Sequence, residues 1–196
     1  MSEPAAPAGR AGRSSPAPEP PWLNWANALT LLRVLLVPVI AWLLVAGGAS
    51  RQWWAFGIFV FAALTDSIDG WVARRSRGVT RWGQLADPAA DKALIVGSLA
   101  VLAFLGRLPW WAVAVIVVRE VAVTVQRTVL LRSDHVMPAS RFGKAKTVSQ
   151  VIAVTLYLAP VGPRWFADGA LMVAVALTVA SGVEYAFRGR RLVRGA

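Results

Sequence analysis

The chain has no cysteine and a single histidine among its 196 residues. The lack of thiols excludes disulfide bridges and thiolate metal sites. Charge is also scarce, because Lys, Arg, Asp and Glu make up only 16% of the residues, whereas an ordinary soluble domain has about a quarter. Only ten residues are acidic. The one histidine, His135, lies in a polar stretch and is interpreted as an ordinary surface residue.

Apolar residues are abundant instead. They make up 57% of the chain, and the mean hydropathy is +0.55. Apolar runs near or above the roughly 18–20 residues needed to cross hydrocarbon recur along the sequence. We therefore predict an all-α polytopic membrane protein with six transmembrane helices. The predicted spans are roughly 28–46, 52–75, 84–105, 109–131, 144–158 and 168–187.

A signal peptide is the alternative interpretation of the first apolar run, because small residues follow that run. Its length of about 19 residues and the presence of Arg33 favour a retained span. Residues 1–20 are rich in Pro, Ala, Gly and Ser and are predicted to be a disordered tail. The predicted catalytic domain is the six-helix unit of residues 21–190, and residues 191–196 form a basic tail.

The net charge of +11 has two possible sources. Nucleic-acid binding is one, and the excess of Lys and Arg in cytoplasmic loops of membrane proteins is the other. Six spans place both termini on one side, and 15 of the 21 basic residues then fall on that side. The opposite side has only Arg51, Arg107 and Arg164. The asymmetry predicts cytoplasmic termini in a cell (inner) membrane protein and no nucleic-acid partner.

Four of the ten acidic residues lie close together, between the second and third apolar runs. Asp66 and Asp69 are three residues apart, and Asp87 and Asp91 are four apart, so each pair shares a helix face. The connection between the two spans is short, which predicts that they are antiparallel neighbours. The four carboxylates are therefore expected to converge near the cytoplasmic membrane boundary.

A cation must offset four carboxylates at a membrane boundary, because they repel one another and are costly to bury there. Oxygen ligands favour Mg²⁺ or Mn²⁺, and several carboxylates can hold two ions about 4 Å apart, as in phosphoryl-type displacement. The alternative is that these residues are helix caps and loop anions neutralised by nearby arginines. Asp87 precedes Pro88 and fits a helix cap. This alternative does not explain why the two aspartates of each pair share a helix face.

The acidic stretch resembles the signature of the CDP-alcohol phosphatidyltransferases in residue type and spacing. The matching run is Asp66-x2-Asp69-Gly70-x2-Ala73-Arg74-x8-Gly83-x3-Asp87-x3-Asp91. The resemblance implies a six-helix membrane enzyme that transfers a phosphatidyl group from CDP-diacylglycerol to an alcohol and releases CMP. It also implies a homodimer, which is common in that family.

The resemblance implies roles for individual residues. Asp66, Asp69, Asp87 and Asp91 would bind the metal, and Asp91 would also be the catalytic base. The implied CDP-lipid site includes Gly70, Arg74, Thr80 and Gly83 from the signature region, together with Asn27 and Thr30 from the first span.

The acceptor alcohol has to be inferred from basic residues elsewhere. Arg and Lys can clamp a phosphate, which makes five residues candidates for binding a phosphorylated acceptor: Arg119, Arg127, Arg141, Lys144 and Lys146. The alternatives are a buried Arg119–Glu120 ion pair and ordinary cytoplasmic loop charge.

Three further motifs, N-x2-T-x2-R-x4-P, R-E-x6-R and GKxKT, are similar to the bacterial branch that uses sn-glycerol 3-phosphate and makes phosphatidylglycerol phosphate. Ala26 stands where that branch usually has proline. Related branches use inositol phosphate, serine, or phosphatidylglycerol, the last giving cardiolipin. A magnesium-binding polytopic transporter or scaffold is the non-enzymatic alternative.

Overall fold

The computed structural model describes residues 25–73, 81–132 and 141–194, and these ranges contain α-helices and no strand. Their side chains are described for residues 31–65, 92–126, 128–129 and 142–189. The predicted tail of residues 1–20 lies outside the described residues. The helices are α1 (Trp25–Ala46), α2 (Ala49–Ala73), α3 (Arg81–Phe104), α4 (Trp110–Arg132), α5 (Arg141–Leu158) and α6 (Arg164–Arg194).

Each predicted span corresponds to one helix, but several helices extend beyond the apolar segment. Helix α5 begins at Arg141, three residues before the predicted start. Helix α6 begins at Arg164 and continues to Arg194, so residues 191–194 of the predicted basic tail are helical. Hydropathy identifies only the apolar part of a helix, whereas backbone hydrogen bonding continues into the charged turns.

Glycines with positive φ lie in the three described connections between helices. Gly106 ends α3 with φ +66°, its N–H bonds to the Ala103 carbonyl, and the Arg107 N–H bonds to the Leu102 carbonyl, each at 2.9 Å. This pair of bonds is the Schellman arrangement, which favours glycine because an L side chain is strained at positive φ. Gly47 and Gly162 provide similar reversals after α1 and before α6.

The helices pack in a bundle in which α1 contacts α2 and α3, and α5 contacts α2, α3 and α6. Helices α2 and α3, which contain the acidic motif, therefore share α1 and α5 as neighbours. The pairing of α5 with α6 includes a buried hydrogen bond from Gln150 Nε2 to Thr178 Oγ1 (2.9 Å) and one from the Tyr157 hydroxyl to Asp168. Large core side chains include Ile40, Phe59, Leu99, Leu102, Ile116 and Leu158.

The outer surface of the bundle exposes many large apolar side chains. Trp42 is 64% exposed, Phe104 75% and Trp165 72%. Soluble monomers do not expose so much apolar surface, and such surfaces mark contact with lipid or protein. In the described part of the chain, one helix, Arg164–Gly189, is long and apolar enough to cross a membrane, and Leu31–Ala46 and Lys92–Phe104 are shorter apolar segments.

Candidate active site

The acidic motif is divided between the end of α2 and the beginning of α3. Asp66 and Asp69 lie in the last two turns of α2, and Asp87 and Asp91 lie in the first three turns of α3. The backbone is helical at all four positions, so the spacings of three and four residues place each pair on one helix face. The side chains of these aspartates lie outside the described ones, so their metal-binding and catalytic roles stay predictions.

The other candidates near the motif are described only in part. Gly70 lies in α2 and Gly83 in α3, whereas Arg74 and Thr80 lie outside the described residues. Asn27 and Thr30 lie in the first two turns of α1, without described side chains. Among the described side chains, no group of three or more His, Cys, Asp or Glu residues could hold a metal.

A cluster of charged side chains surrounds Glu120, which is only 6% exposed. Glu120 Oε1 accepts hydrogen bonds from Arg119 Nη1 at 3.1 Å and from Lys146 Nζ. The second carboxylate oxygen, Oε2, lies 3.5 Å from Lys92 Nζ. Helices α3, α4 and α5 each contribute a cation, and three positive charges face one negative charge. We call these four residues the Glu120 cluster.

Helix α6 fixes the position of Arg119 within the Glu120 cluster. Arg119 Nη2 donates to Ser181, and the guanidinium carbon lies 5.5 Å from the centroid of the Tyr185 ring. At Gly182, a Cβ atom would lie 3.2 Å from Arg119 Cγ, so glycine leaves room for the arginine side chain. Arg119 Nε is buried and has no acceptor in the described part of the chain. The guanidinium is therefore held on several sides, and its buried Nε donor is unused in the described part of the chain.

Lys92 connects the acidic motif to the Glu120 cluster, because it directly follows Asp91 in α3. Its ammonium donates to Thr124 Oγ1 at 2.7 Å, and Thr124 donates in turn to the Glu120 backbone carbonyl at 2.7 Å. The Lys92 side chain is 37% exposed. It borders a groove of about 320 Å³ between α3 and α4 that is otherwise lined mostly by apolar side chains, including Val117 and Val121.

The structure brings together two of the five predicted acceptor-binding residues, Arg119 and Lys146. Lys144 is exposed, because residues two apart on a helix point to different sides. Arg127 and Arg141 lie in α4 and α5, and their side chains are not among those described. The buried Arg119–Glu120 ion pair that we considered as an alternative is present, but it is one contact of a larger cluster.

The sequence-based selection of site residues missed Lys92 and Glu120. The signal that could have found them is a charged residue in a strongly apolar segment, since such residues usually face the interior of a helix bundle. Their meeting depends on the packing of α3 against α4, which residue spacing within one helix does not specify.

Comparisons with known proteins agree with the resemblance. The family model described as CDP-alcohol phosphatidyltransferase matches residues 23–180. A probable phosphatidylglycerophosphate synthase of Mycobacterium tuberculosis (strain H37Rv) is 42% identical over 172 residues, which cover 85% of this chain and 82% of the relative.

Two other relatives differ in their named activities. A CDP-diacylglycerol–glycerol-3-phosphate 3-phosphatidyltransferase of Bacillus subtilis is 44% identical over 133 residues, which cover 65% of this chain and 69% of the relative. A CMP-forming cardiolipin synthase of Streptomyces coelicolor is 33% identical over 177 residues, which cover 85% and 82%. With the helical fold, the acidic motif and the family match in agreement, this chain belongs to the CDP-alcohol phosphatidyltransferase family, a family of membrane-associated enzymes.

Proposed function

We propose that the protein transfers the phosphatidyl group of CDP-diacylglycerol to sn-glycerol 3-phosphate, giving phosphatidylglycerol phosphate and CMP in phospholipid biosynthesis. The observation that carries this proposal is the Glu120 cluster, in which Lys92, Arg119 and Lys146 exceed Glu120 by two positive charges. A phosphate monoester carries about 1.5 to 2 negative charges near pH 7 and matches that excess. The names of the Mycobacterium and Bacillus relatives support the same acceptor.

The reaction takes place at a membrane that all six helices cross, with both termini and the active site on the cytoplasmic side. The exposed apolar side chains and the 15-to-3 distribution of basic residues support this arrangement. Two of the three basic residues assigned to the opposite side bind backbone carbonyls: Arg51 donates to Ala46 and Gly47, and Arg164 donates to Arg107. These arginines have structural roles that account for their presence on the side poor in basic residues.

The four aspartates fit a hard divalent cation, because they offer only oxygen ligands, at the end of α2 and the beginning of α3. They would hold Mg²⁺ or Mn²⁺, and we propose that two ions bind. The metal would polarise the phosphate and offset negative charge on the departing CMP. Asp91 takes the proton from the acceptor hydroxyl. The hydroxyl oxygen bonds to the lipid-bearing phosphorus, the bond from that phosphorus to the CMP oxygen breaks, and CMP leaves.

Other residues of the signature bind the lipid nucleotide. Gly70 lets the ligand approach the α2 backbone closely, and Arg74 pairs with a phosphate. Gly83 and Thr80 complete the CDP side of the site, and Asn27 and Thr30 contribute from α1. Arg119 and Lys146 bind the acceptor phosphate, and Arg127, Arg141 and Lys144 add positive charge along its approach.

A second candidate is the same reaction with phosphatidylglycerol as acceptor, which gives cardiolipin. It is favoured by the Streptomyces relative, whose name is cardiolipin synthase (CMP-forming). The phosphodiester of phosphatidylglycerol carries one negative charge, so it would leave one of the two excess positive charges of the Glu120 cluster uncompensated. The charge balance therefore favours a phosphate monoester, a class that also includes inositol phosphate.

The proposal is tested by CMP release from purified full-length protein with CDP-diacylglycerol and Mg²⁺. Separate reactions contain glycerol 3-phosphate, inositol phosphate, serine or phosphatidylglycerol as acceptor. We expect release with glycerol 3-phosphate alone. Release with phosphatidylglycerol alone would establish the second candidate, and no release with any of the four would contradict an enzymatic role.

Asp91→Asn should abolish CMP release, because an amide cannot accept the hydroxyl proton and is a poorer metal ligand. Chelation by EDTA should abolish the activity of the wild type, and added Mg²⁺ or Mn²⁺ should restore it. Asp168→Asn is the matched control, since Asp168 lies on α6 and accepts a hydrogen bond from Tyr157 that an amide oxygen can also accept. Full activity of Asp91→Asn would remove Asp91 from the mechanism.

A further inference from the structure

We propose that Glu120 is an internal substitute for the acceptor's phosphate. Its carboxylate holds Lys92, Arg119 and Lys146 in place while the acceptor is absent, and the phosphate takes over part of these contacts when the acceptor binds. This inference rests on the proposed function for the identity of the incoming anion. Glu120 is then a positioning residue that acts through three cations and does not itself contact the reacting atoms.

The geometry of the Glu120 cluster supports this role. Both oxygens of the Glu120 carboxylate contact cations. Oε1 contacts Arg119 and Lys146, and Oε2 contacts Lys92. The three cations come from three helices, and Lys146 is buried with only 5% exposure. Without an anion between them these cations would repel one another, and buried charges need a partner. A carboxylate resembles a phosphate in offering only acceptor oxygens to such donors.

Glu120 leaves the cluster with capacity for a second anion. A structural ion pair requires one cation, whereas this carboxylate faces three. Arg119 Nε has no acceptor in the described part of the chain, which leaves a buried donor available. Lys92 makes the longest of the three contacts, at 3.5 Å, and it is the most exposed of the three cations. Phosphate is therefore expected to approach from the Lys92 side, where the groove between α3 and α4 opens.

Glu184 provides a contrast within the same chain. It pairs with Arg188 at 2.5 Å, one turn along α6, and among the described side chains it makes no other ion pair. In the described part of the chain, removing the charge of Glu184 breaks an ion pair within one helix and leaves only Arg188 without its partner. Glu184→Gln is therefore a matched control for Glu120→Gln, with the same chemical change in a one-to-one pair.

Two opposing effects follow from the proposed role of Glu120. Its charge stabilises the protein without acceptor, because it offsets three cations. The same charge competes with the acceptor phosphate for those cations. Glu120→Gln keeps the shape of the side chain and loses the charge, so the variant should be less stable without phosphate and should gain more from phosphate than the wild type does.

The experiment measures thermal unfolding midpoints of detergent-solubilised full-length protein in chloride, inorganic phosphate or glycerol 3-phosphate at equal ionic strength. We expect Glu120→Gln to unfold at a lower temperature in chloride and to show at least about twice the wild-type increase with either phosphate compound. Glu120→Asp, which keeps the charge, should respond as the wild type does, and Glu184→Gln should match the wild type in every buffer. Equal phosphate responses of Glu120→Gln and the wild type would overturn the inference, as would equal stability in chloride.

A second variant covers the case in which Glu120→Gln does not fold. Lys92→Met removes the most exposed cation of the cluster and should reduce the phosphate response to about half of the wild-type value or less. An unchanged response would overturn the inference.

CMP release by the wild type distinguishes the two proposals. If the wild type releases CMP with glycerol 3-phosphate, and Glu120→Gln and the wild type respond equally to phosphate, only the role of Glu120 is contradicted. If Glu120→Gln responds more strongly to phosphate than the wild type and the wild type releases no CMP, only the proposed function is contradicted.

Discussion

The guanidinium of Arg119 makes three kinds of contact in the structure. It donates to Glu120 at 3.1 Å, donates to Ser181 and lies over the ring of Tyr185. A lysine ammonium has the same charge, but it is a compact group that cannot make planar contacts in several directions. Arginine is therefore required by the geometry of the position as well as by its charge.

Arg119→Lys should raise the KM for glycerol 3-phosphate by about tenfold or more, because a lost charged hydrogen bond costs about 1.5–3 kcal/mol. The KM for CDP-diacylglycerol should change little, since the proposed lipid-nucleotide site does not include Arg119. Steady-state CMP release with each substrate varied in turn measures both values. Arg188→Lys, in the pair with Glu184, is the control and should behave as the wild type. An equal rise in both KM values would indicate general disruption of the site instead.

At the scale of helices, close approach depends on a few small residues. Helices α1 and α3 meet where a Cβ atom on Gly97 would lie 2.5 Å from Val37 Cγ1. Helices α4 and α6 meet at Gly182 and Gly189, which are seven residues apart and face Arg119 and Gln126. Two turns of a helix take about seven residues, so both contacts lie along one line. Small residues at helix interfaces are a common means of association in membranes.

Gly97→Ala should destabilise the protein by about 1–3 kcal/mol, because valine is stiff and cannot move away from the added methyl group. A loss of this size corresponds to a fall in the unfolding midpoint of about 2–4 °C for each kcal/mol. The double variant Val37→Ala/Gly97→Ala should recover part of the loss. Gly57→Ala is the control, since nothing lies within 4 Å of a Cβ atom there. Equal midpoints for Gly97→Ala and Gly57→Ala would contradict the close packing of α1 on α3.

At the scale of the whole molecule, the apolar surface and the basic residues together are the basis of the proposed membrane orientation. Large apolar side chains face outward from several helices, as expected where the solvent is lipid. In the predicted topology, basic residues concentrate on the cytoplasmic side of the membrane. The three described connections between helices are assigned to the opposite side. The proposed orientation therefore makes a definite prediction for each connection.

Cysteine labelling tests this orientation directly, because the chain has no native cysteine. Ser50→Cys, at the start of α2, should react with a membrane-impermeant thiol reagent added outside intact cells. Ser133→Cys, between α4 and α5 in the sequence, should react only after the membrane is permeabilised. The two variants have the same substitution and control for each other. The reverse pattern, or equal labelling of both, would contradict cytoplasmic termini.

The sequence by itself was sufficient to predict six helices, an acidic motif on two consecutive helices and the enzyme family. Apolar runs and residue spacing within one helix are local properties, which can be read without knowing the packing. Lys144 and Lys146 show the limit of that reasoning, since one is exposed and the other buried although they are two residues apart.

Only the tertiary structure decided which charges meet. Lys92, Glu120 and Lys146 lie on three different helices, 28 and 26 residues apart along the chain, and no periodicity within a helix relates them. Their contact depends on how α3, α4 and α5 pack, and α6 then places Ser181, Gly182 and Tyr185 around Arg119. Local sequence therefore determined the helices and the spacing of the acidic motif along them, whereas packing determined the composition and net charge of the Glu120 cluster.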